Sequence, residues 1–221
     1  MKEIHHPSDA LGIPMLRLDR QATAIPAPFA RWGSRVRKSR MPGCWHFYTD
    51  DYRFGRLLSR PRDLTNSACA AAVEPNISVR HDTPPVLALY ATYRKRLAAR
   101  TWQDDGVEVL VDLNVAGRYL EDNLRGVPAG WRAFATRGSS KAPAELEAEV
   151  DAAAAVAGTR EILLVIYGGP AWLRAAAEHR GWLWYPEEAD EARGRTPPEP
   201  RTGNHGDGPT SNGYLREAYG A

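Results

Sequence analysis

Asp50, Asp82 and Asp112, with Asn114 two positions beyond the last, are the residues of this chain best suited to acid–base or metal chemistry. A carboxylate serves as a general acid or base when its surroundings tune it, and as an oxygen ligand for a hard divalent metal. Asp112 and Asn114 share one face of the run Val107-Glu-Val-Leu-Val-Asp-Leu-Asn-Val115, where unpartnered polar groups are costly. Asp50, Asp51 and Asp82 each stand before a predicted helix, so capping is the plain alternative for them. A second set, Gly138, Ser139, Ser140 and Lys141 with Gly168 and Gly169, follows two predicted strands. Its N–H groups and cation suit a phosphate; a polar loop and an ordinary strand-to-helix turn are the alternatives.

A third set is basic. Arg31, Arg35, Arg37, Lys38, Arg40, Arg53, Arg56, Arg60 and Arg62 lie in a segment whose acids are Asp50 and Asp51, although the whole chain carries a net charge of only +2. Trp32, Trp45, Phe47, Tyr52 and Phe54 are interleaved with them. Cations and rings in this mixture can track phosphates and stack bases of DNA or RNA, or simply make a solvated basic surface. No Walker loop, GxGxxG, HExxH, GxSxG or finger motif occurs.

The elements that must position these residues alternate. The stretch 161–181 reads as strand, Gly168-Gly169 turn and helix, with Pro170 at the helix start and Gly181 past its end. Before it, strands are expected at 44–50, within 68–79 and best seen at 76–80, at 107–115 and at 131–136, and one more at 182–185. Helices are expected at 51–59, from 84 to about 102, and at 143–157 with Gly158 as the stop. In the longest helix Val86, Leu89 or Tyr90, Tyr93 and Leu97 form the apolar stripe expected to face the core.

This alternation predicts an α/β fold with a parallel sheet and right-handed crossovers. Polar groups on one face of the strands at 44–50, 76–80 and 107–115 suit a barrel interior better than a face covered by helices. A shortened or incomplete TIM-barrel-like sheet is therefore expected, with a doubly wound open sheet as the alternative; the candidate groups would then gather at the carboxyl ends of the strands. Residues 1–40 read as an extended arm, 41–186 as one domain, and 187–221 as a disordered tail rich in Pro, Gly and charge. Two cysteines, Cys44 and Cys69, imply neither a disulfide framework nor a zinc site, and point to a reducing cytoplasm. No apolar run approaches the length of a membrane span.

Five segments carry a resemblance: His46-Phe-Tyr-Thr-Asp-Asp-Tyr-Arg-Phe54, Pro75-Asn-Ile-Ser78 with Asp82-Thr-Pro84, Trp102-Gln-Asp-Asp-Gly106, Gly126-Val-Pro128 with Gly138, and Tyr167-Gly168. Over residues 40–170 the chain resembles an uncharacterised domain-of-unknown-function family carried by phages, plasmids and integrative elements of bacteria. It departs from that pattern at Asn114, where the family tends to carry Trp. The resemblance implies a mobile-element context and assigns no catalytic residue. Two functions follow as expectations: an enzyme acting on a phosphorylated substrate, nucleotide or nucleic acid, or a non-enzymatic nucleic-acid-binding module using residues 31–62.

Overall fold

The computed structural model describes residues 10–33, 41–139 and 141–187. Its strands are β1 (Phe29–Arg31), β2 (Cys44–His46), β3 (Ala71–Val73), β4 (Glu108–Asp112), β5 (Ala133–Arg137), β6 (Leu163–Tyr167) and β7 (Leu183–Tyr185). They form one sheet in the order β1-β2-β3-β4-β5-β6-β7, every neighbouring pair parallel. A doubly wound sheet reverses its strand order partway, and this one never does. The sheet instead curls: the rings of Phe29 on β1 and Tyr185 on β7 lie 4.4 Å apart between centroids, so the two edges approach each other across the interior. The fold is an incomplete TIM-like barrel.

Parallel register puts paired residues on the same face, which sorts every strand. Phe29 and Arg31 pair with Cys44 and His46, Asp112 with Ala135, and Arg137 with Tyr167 and Tyr167 with Tyr185; this set faces inward. Trp45, Phe47, Val109, Val111, Phe134 and Ile166 face outward and are buried beneath the outer layer. There Phe47 stacks on Trp102 at 5.7 Å, and Trp45 meets Trp32 edge-on.

The helices are α1 (Arg62–Thr65), α2 (Pro85–Asp104), α3 (Leu120–Asn123), α4 (Pro143–Ala157) and α5 (Ala171–Arg180). α4 and α5 both end at a glycine in the left-handed region, Gly158 at φ 69° and Gly181 at φ 72°. Residues 51–59 form a single 3-10 turn, Asp51–Arg53, followed by turns, in place of the expected helix. The strand expected within 68–79 is β3 at 71–73, and its favoured part, 76–80, belongs instead to the connection leading to α2. Periodicity favoured the later segment because Ile77 and Val79 alternate with polar residues, whereas the real strand is three small buried residues. β1 lies in a stretch with no sustained period.

α2 is turned the other way from its expected stripe. Its buried face is Ala88, Ala91, Thr92, Lys95, Arg96, Ala98, Ala99 and Trp102, while Val86, Leu87, Tyr90 and Tyr93 are exposed. The alanines allow a close approach to β4. Lys95 and Arg96 are tolerated inside because Asp112 and Glu74 meet them. At the opposite end of the barrel, where the strands begin, residues 21–22 are bonded to it: the Ala22 N–H donates to the Val109 carbonyl at 3.0 Å and Gln21 Oε1 accepts the Arg132 N–H at 2.7 Å, with residues 17–20 just before them. Gln103 holds that segment through the Arg17 N–H (2.7 Å) and the Arg17 and Arg20 carbonyls (2.9 and 3.1 Å).

Candidate functional site

Asp112 is the last residue of β4 and points into the interior at the end where the strands finish. Its Oδ1 accepts hydrogen bonds from Tyr48 Oη (3.2 Å) and from the Asn114 N–H (3.3 Å). Lys95 Nζ donates to the Asp112 carbonyl at 3.1 Å and lies 3.7 Å from Oδ2. Oδ2 itself is buried and accepts no hydrogen bond. Behind the pair, Glu74 accepts from Arg96 and from the Asp112 N–H, while Arg96 also donates to the Asn123 and Arg125 carbonyls. Asn123 Nδ2 donates to the Asp112 carbonyl at 2.9 Å. One arginine thus ties β3, α2 and α3 together directly beneath the carboxyl group.

Burial pushes the Asp112 carboxyl up, with Lys95 pulling the other way. Burial also pushes the Lys95 ammonium down, against the attraction of Asp112 and Glu74. Burial thus opposes the charged form of both groups, and their mutual attraction favours it. Tyr48 is held far above the usual phenol range by burial and by the Asp112 charge, so it stays a donor.

Beside this pair stands a stack of rings. His46 lies between Phe29 (4.5 Å, 18°) and Tyr167 (4.3 Å), and Tyr48 stacks on Tyr167 at 5.5 Å. Its Nδ1 accepts the Tyr48 N–H at 3.4 Å. Burial, then the nearby Arg31 and Arg137 charges, push His46 down to about 3, so the imidazole is neutral at ordinary pH. Those two arginines end β1 and β5 and stand at the same end of the interior. Arg137 reaches Glu187 at 3.5 Å, and its Nε is buried without a hydrogen-bond partner. Two guanidinium groups beside flat rings can hold an anionic ring-bearing ligand.

The other candidate residues are placed differently. Asp50 is exposed and lies 3.6 Å from Arg53; it makes no capping hydrogen bond. Asp51 accepts from the Ser78 N–H and Oγ, both at 3.1 Å, joining the connections after β2 and β3. Asp82 is exposed at the entry to α2. Among the described residues no three His, Cys, Asp or Glu side chains gather as a metal site would require, so the three aspartates do not converge. Asn114 is half-buried and donates to Asn76 Oδ1 at 3.1 Å.

Gly138, Gly168 and Gly169 pack on one another. A Cβ on Gly138 would fall 2.3 Å from the Gly168 carbonyl oxygen, so close contact between the β5 and β6 connections accounts for the glycines. Ser139 donates to Glu187, and Lys141 pairs with Glu149 under α4, so neither faces an open site. Ser140, Arg35, Arg37, Lys38 and Arg40 lie outside the described residues. Of the described cations in the basic segment, Arg53, Arg56 and Arg62 meet Asp50, Asp63 and Asp105 at 3.6, 3.3 and 3.3 Å. Their field is weaker than the linear sequence suggests.

Lys95, Glu74 and Arg96 were not singled out by sequence reasoning. The signal was there in the positions Ala88, Ala91, Lys95, Ala98, Ala99 and Trp102, which recur at helical spacing and mark a close-packed face that includes a lysine.

Comparison with known proteins agrees with the resemblance drawn above. The chain is 37% identical over 108 residues to the Gene 1 protein of Mycobacterium phage D29 and 33% identical over 108 residues to that of Mycobacterium phage L5. Each match covers 47% of this chain, and 39% and 46% of the two phage proteins, so the chain spans less than half of their length. No solved structure matches it. No helix among the described residues is long and apolar enough to cross a membrane. The model of the family described as Domain of unknown function (DUF4417) matches residues 5–169, three quarters of the chain, and the protein belongs to that phage-associated family.

Proposed function

We propose that the protein is an enzyme acting at the carboxyl ends of its strands on a phosphorylated substrate of the nucleotide class. Asp112 and Lys95 form the acid–base pair, Tyr48 orients the carboxylate, and Arg31 and Arg137 hold the anionic group against the rings of Phe29 and Tyr167. One observation carries the reading: Asp112 is wholly buried at a strand end, with Oδ2 accepting no hydrogen bond and an ammonium 3.7 Å away. A buried charge left short of donors is costly, and such groups concentrate where a ligand completes them. Strand ends are also where parallel β/α barrels carry their chemistry. In the proposed reaction Asp112 takes the proton of an attacking hydroxyl or water, the new bond forms at phosphorus as the bond to the leaving oxygen breaks, Lys95 protonates that oxygen, and the arginines fix the substrate.

The non-enzymatic alternative on residues 31–62 has less support, since three of its described cations already meet acids. Calorimetric titration with nucleoside mono- and triphosphates tests the choice. Saturable binding is expected, lost in Arg137→Ala. The paired variant Asp112→Asn/Lys95→Met, which keeps the volume and removes both charges, should bind and fail to turn over. Nucleotide binding indifferent to Arg137 would sink the proposal.

A further inference from the structure

We propose that the rim beside the Asp112 mouth is a track for single-stranded nucleic acid, built from tyrosine–arginine pairs. Two pairs with open rings border it, Arg53 over Tyr52 at 5.5 Å and Arg94 over Tyr90 at 5.7 Å; a third, Arg118 over Tyr119 at 4.6 Å, has its ring buried and offers only its guanidinium. Tyr52 is 76% exposed and Tyr90 56%, so neither ring fills the core. A groove of about 450 Å³ runs between α2 and the connection from β3, with Arg80, Tyr90 and Arg94 in its lining and Asp82 as its acid.

Its edges are fastened to the other two pairs. The Asp51–Ser78 hydrogen bonds bring the Tyr52 turn to one side, and Tyr119 Oη donates to the Thr83 carbonyl on the other. The inner end adjoins the mouth, because Asn76 in the same connection accepts from Asn114, two residues past Asp112. Rings stack on bases whatever their identity, and guanidinium groups at ring spacing meet the phosphates between them. Exposed rings beside Arg80 and Arg94 fit a strand of nucleotides better than an apolar partner surface, which would leave those two cations unmatched; Arg53 already meets Asp50 and adds little. The residues differ from the basic segment read from sequence, apart from Tyr52 and Arg53.

The proposal rests on the enzymatic reading only in directing the strand's end to Asp112. Fluorescence anisotropy of the full chain with a short labelled oligonucleotide, of DNA and of RNA, tests it. Saturable binding is expected, weakening with salt at a log–log slope of about −0.7 per phosphate contacted. Tyr90→Ala and Tyr52→Ala, both at exposed sites, should each weaken it by at least about fivefold, as loss of one stacked base does. Arg94→Ala should flatten the salt slope.

Absence of binding at low salt overturns the track. So does equal affinity for duplex, or binding lost only in Arg35→Ala/Arg37→Ala/Arg40→Ala. A protein that dimerises, is made monomeric by Tyr90→Ala and ignores the oligonucleotide would assign the face to a second copy of the chain. If the oligonucleotide binds through Tyr90 while mononucleotides do not bind through Arg137, the mouth reading fails and the track stands. The reverse pattern removes the track alone.

Discussion

Lys95 Nζ lies 3.7 Å from Asp112 Oδ2, with both side chains shut away from solvent, and one comes from α2 while the other ends β4. The pair joins the outer helical layer to the barrel interior through the gap beyond the strand's last residue. Removing one partner leaves the other charged and buried. Asp112→Asn alone should therefore cost on the order of 3 to 5 kcal/mol, and adding Lys95→Met should recover most of it. Urea denaturation of the three proteins measures this. Equal stability of the single variant and the parent would mean the pair is not charged.

The pH dependence of stability has two opposed contributions. His46 is pushed down to about 3 in the folded state, so between its ordinary value and 3 the unfolded chain binds the extra proton, and stability falls as pH falls through that window. Glu149 is pushed up to about 7, mainly by burial, so the folded chain binds the extra proton between its ordinary value and 7, and stability rises as pH falls there. His46→Phe, which keeps a ring in the stack, should remove most of the acid loss. Glu149→Gln should make the decline begin nearer neutrality. Melting temperatures at pH 4 to 7 check both signs.

Gly138→Ala tests the packed glycines. The new Cβ would lie 2.3 Å from both the Gly168 carbonyl oxygen and Leu173 Cδ2, and backbone cannot give way cheaply. A loss of about 1 to 3 kcal/mol is expected in chemical denaturation. Gly117→Ala, which meets nothing nearby, should change little. A neutral Gly138→Ala would return this glycine cluster to consideration as a phosphate cradle.

The two cysteines should differ in reach. Cys44 is fully buried on β2, and burial pushes its thiol far up; Cys69 lies just before β3, less completely enclosed, with its thiol raised less. The thiolate is the reactive form, so Cys44 should label with a thiol reagent only at the rate of unfolding, and Cys69 faster. Mass spectrometry of partially labelled protein identifies which one reacts. Early modification of Cys44 in folded protein would contradict the closed interior.

Local pattern was enough to mark α4 and its stop at Gly158, the apolar strand at 163–167, and the polar inner face carrying His46, Tyr48 and Asp112. Each depends on the period of two or 3.6 and on a glycine stop, which neighbouring residues set among themselves. The barrel itself followed from that polar face, since helices on both sides would have left it unpaid for. What needed the tertiary structure was every decision made by a distant partner. β1 and β3, three residues each, are strands because neighbouring strands supply their hydrogen bonds, and isolated triplets leave no periodic trace. α2 turned its tyrosines outward because Glu74 and Asp112 wait for Arg96 and Lys95 on the other face. Along the chain Asp112 already stood apart from Asp50 and Asp82, which could be helix caps, but only the fold left those two in solvent while enclosing Asp112 with a lysine, since burial and charge pairing act through space.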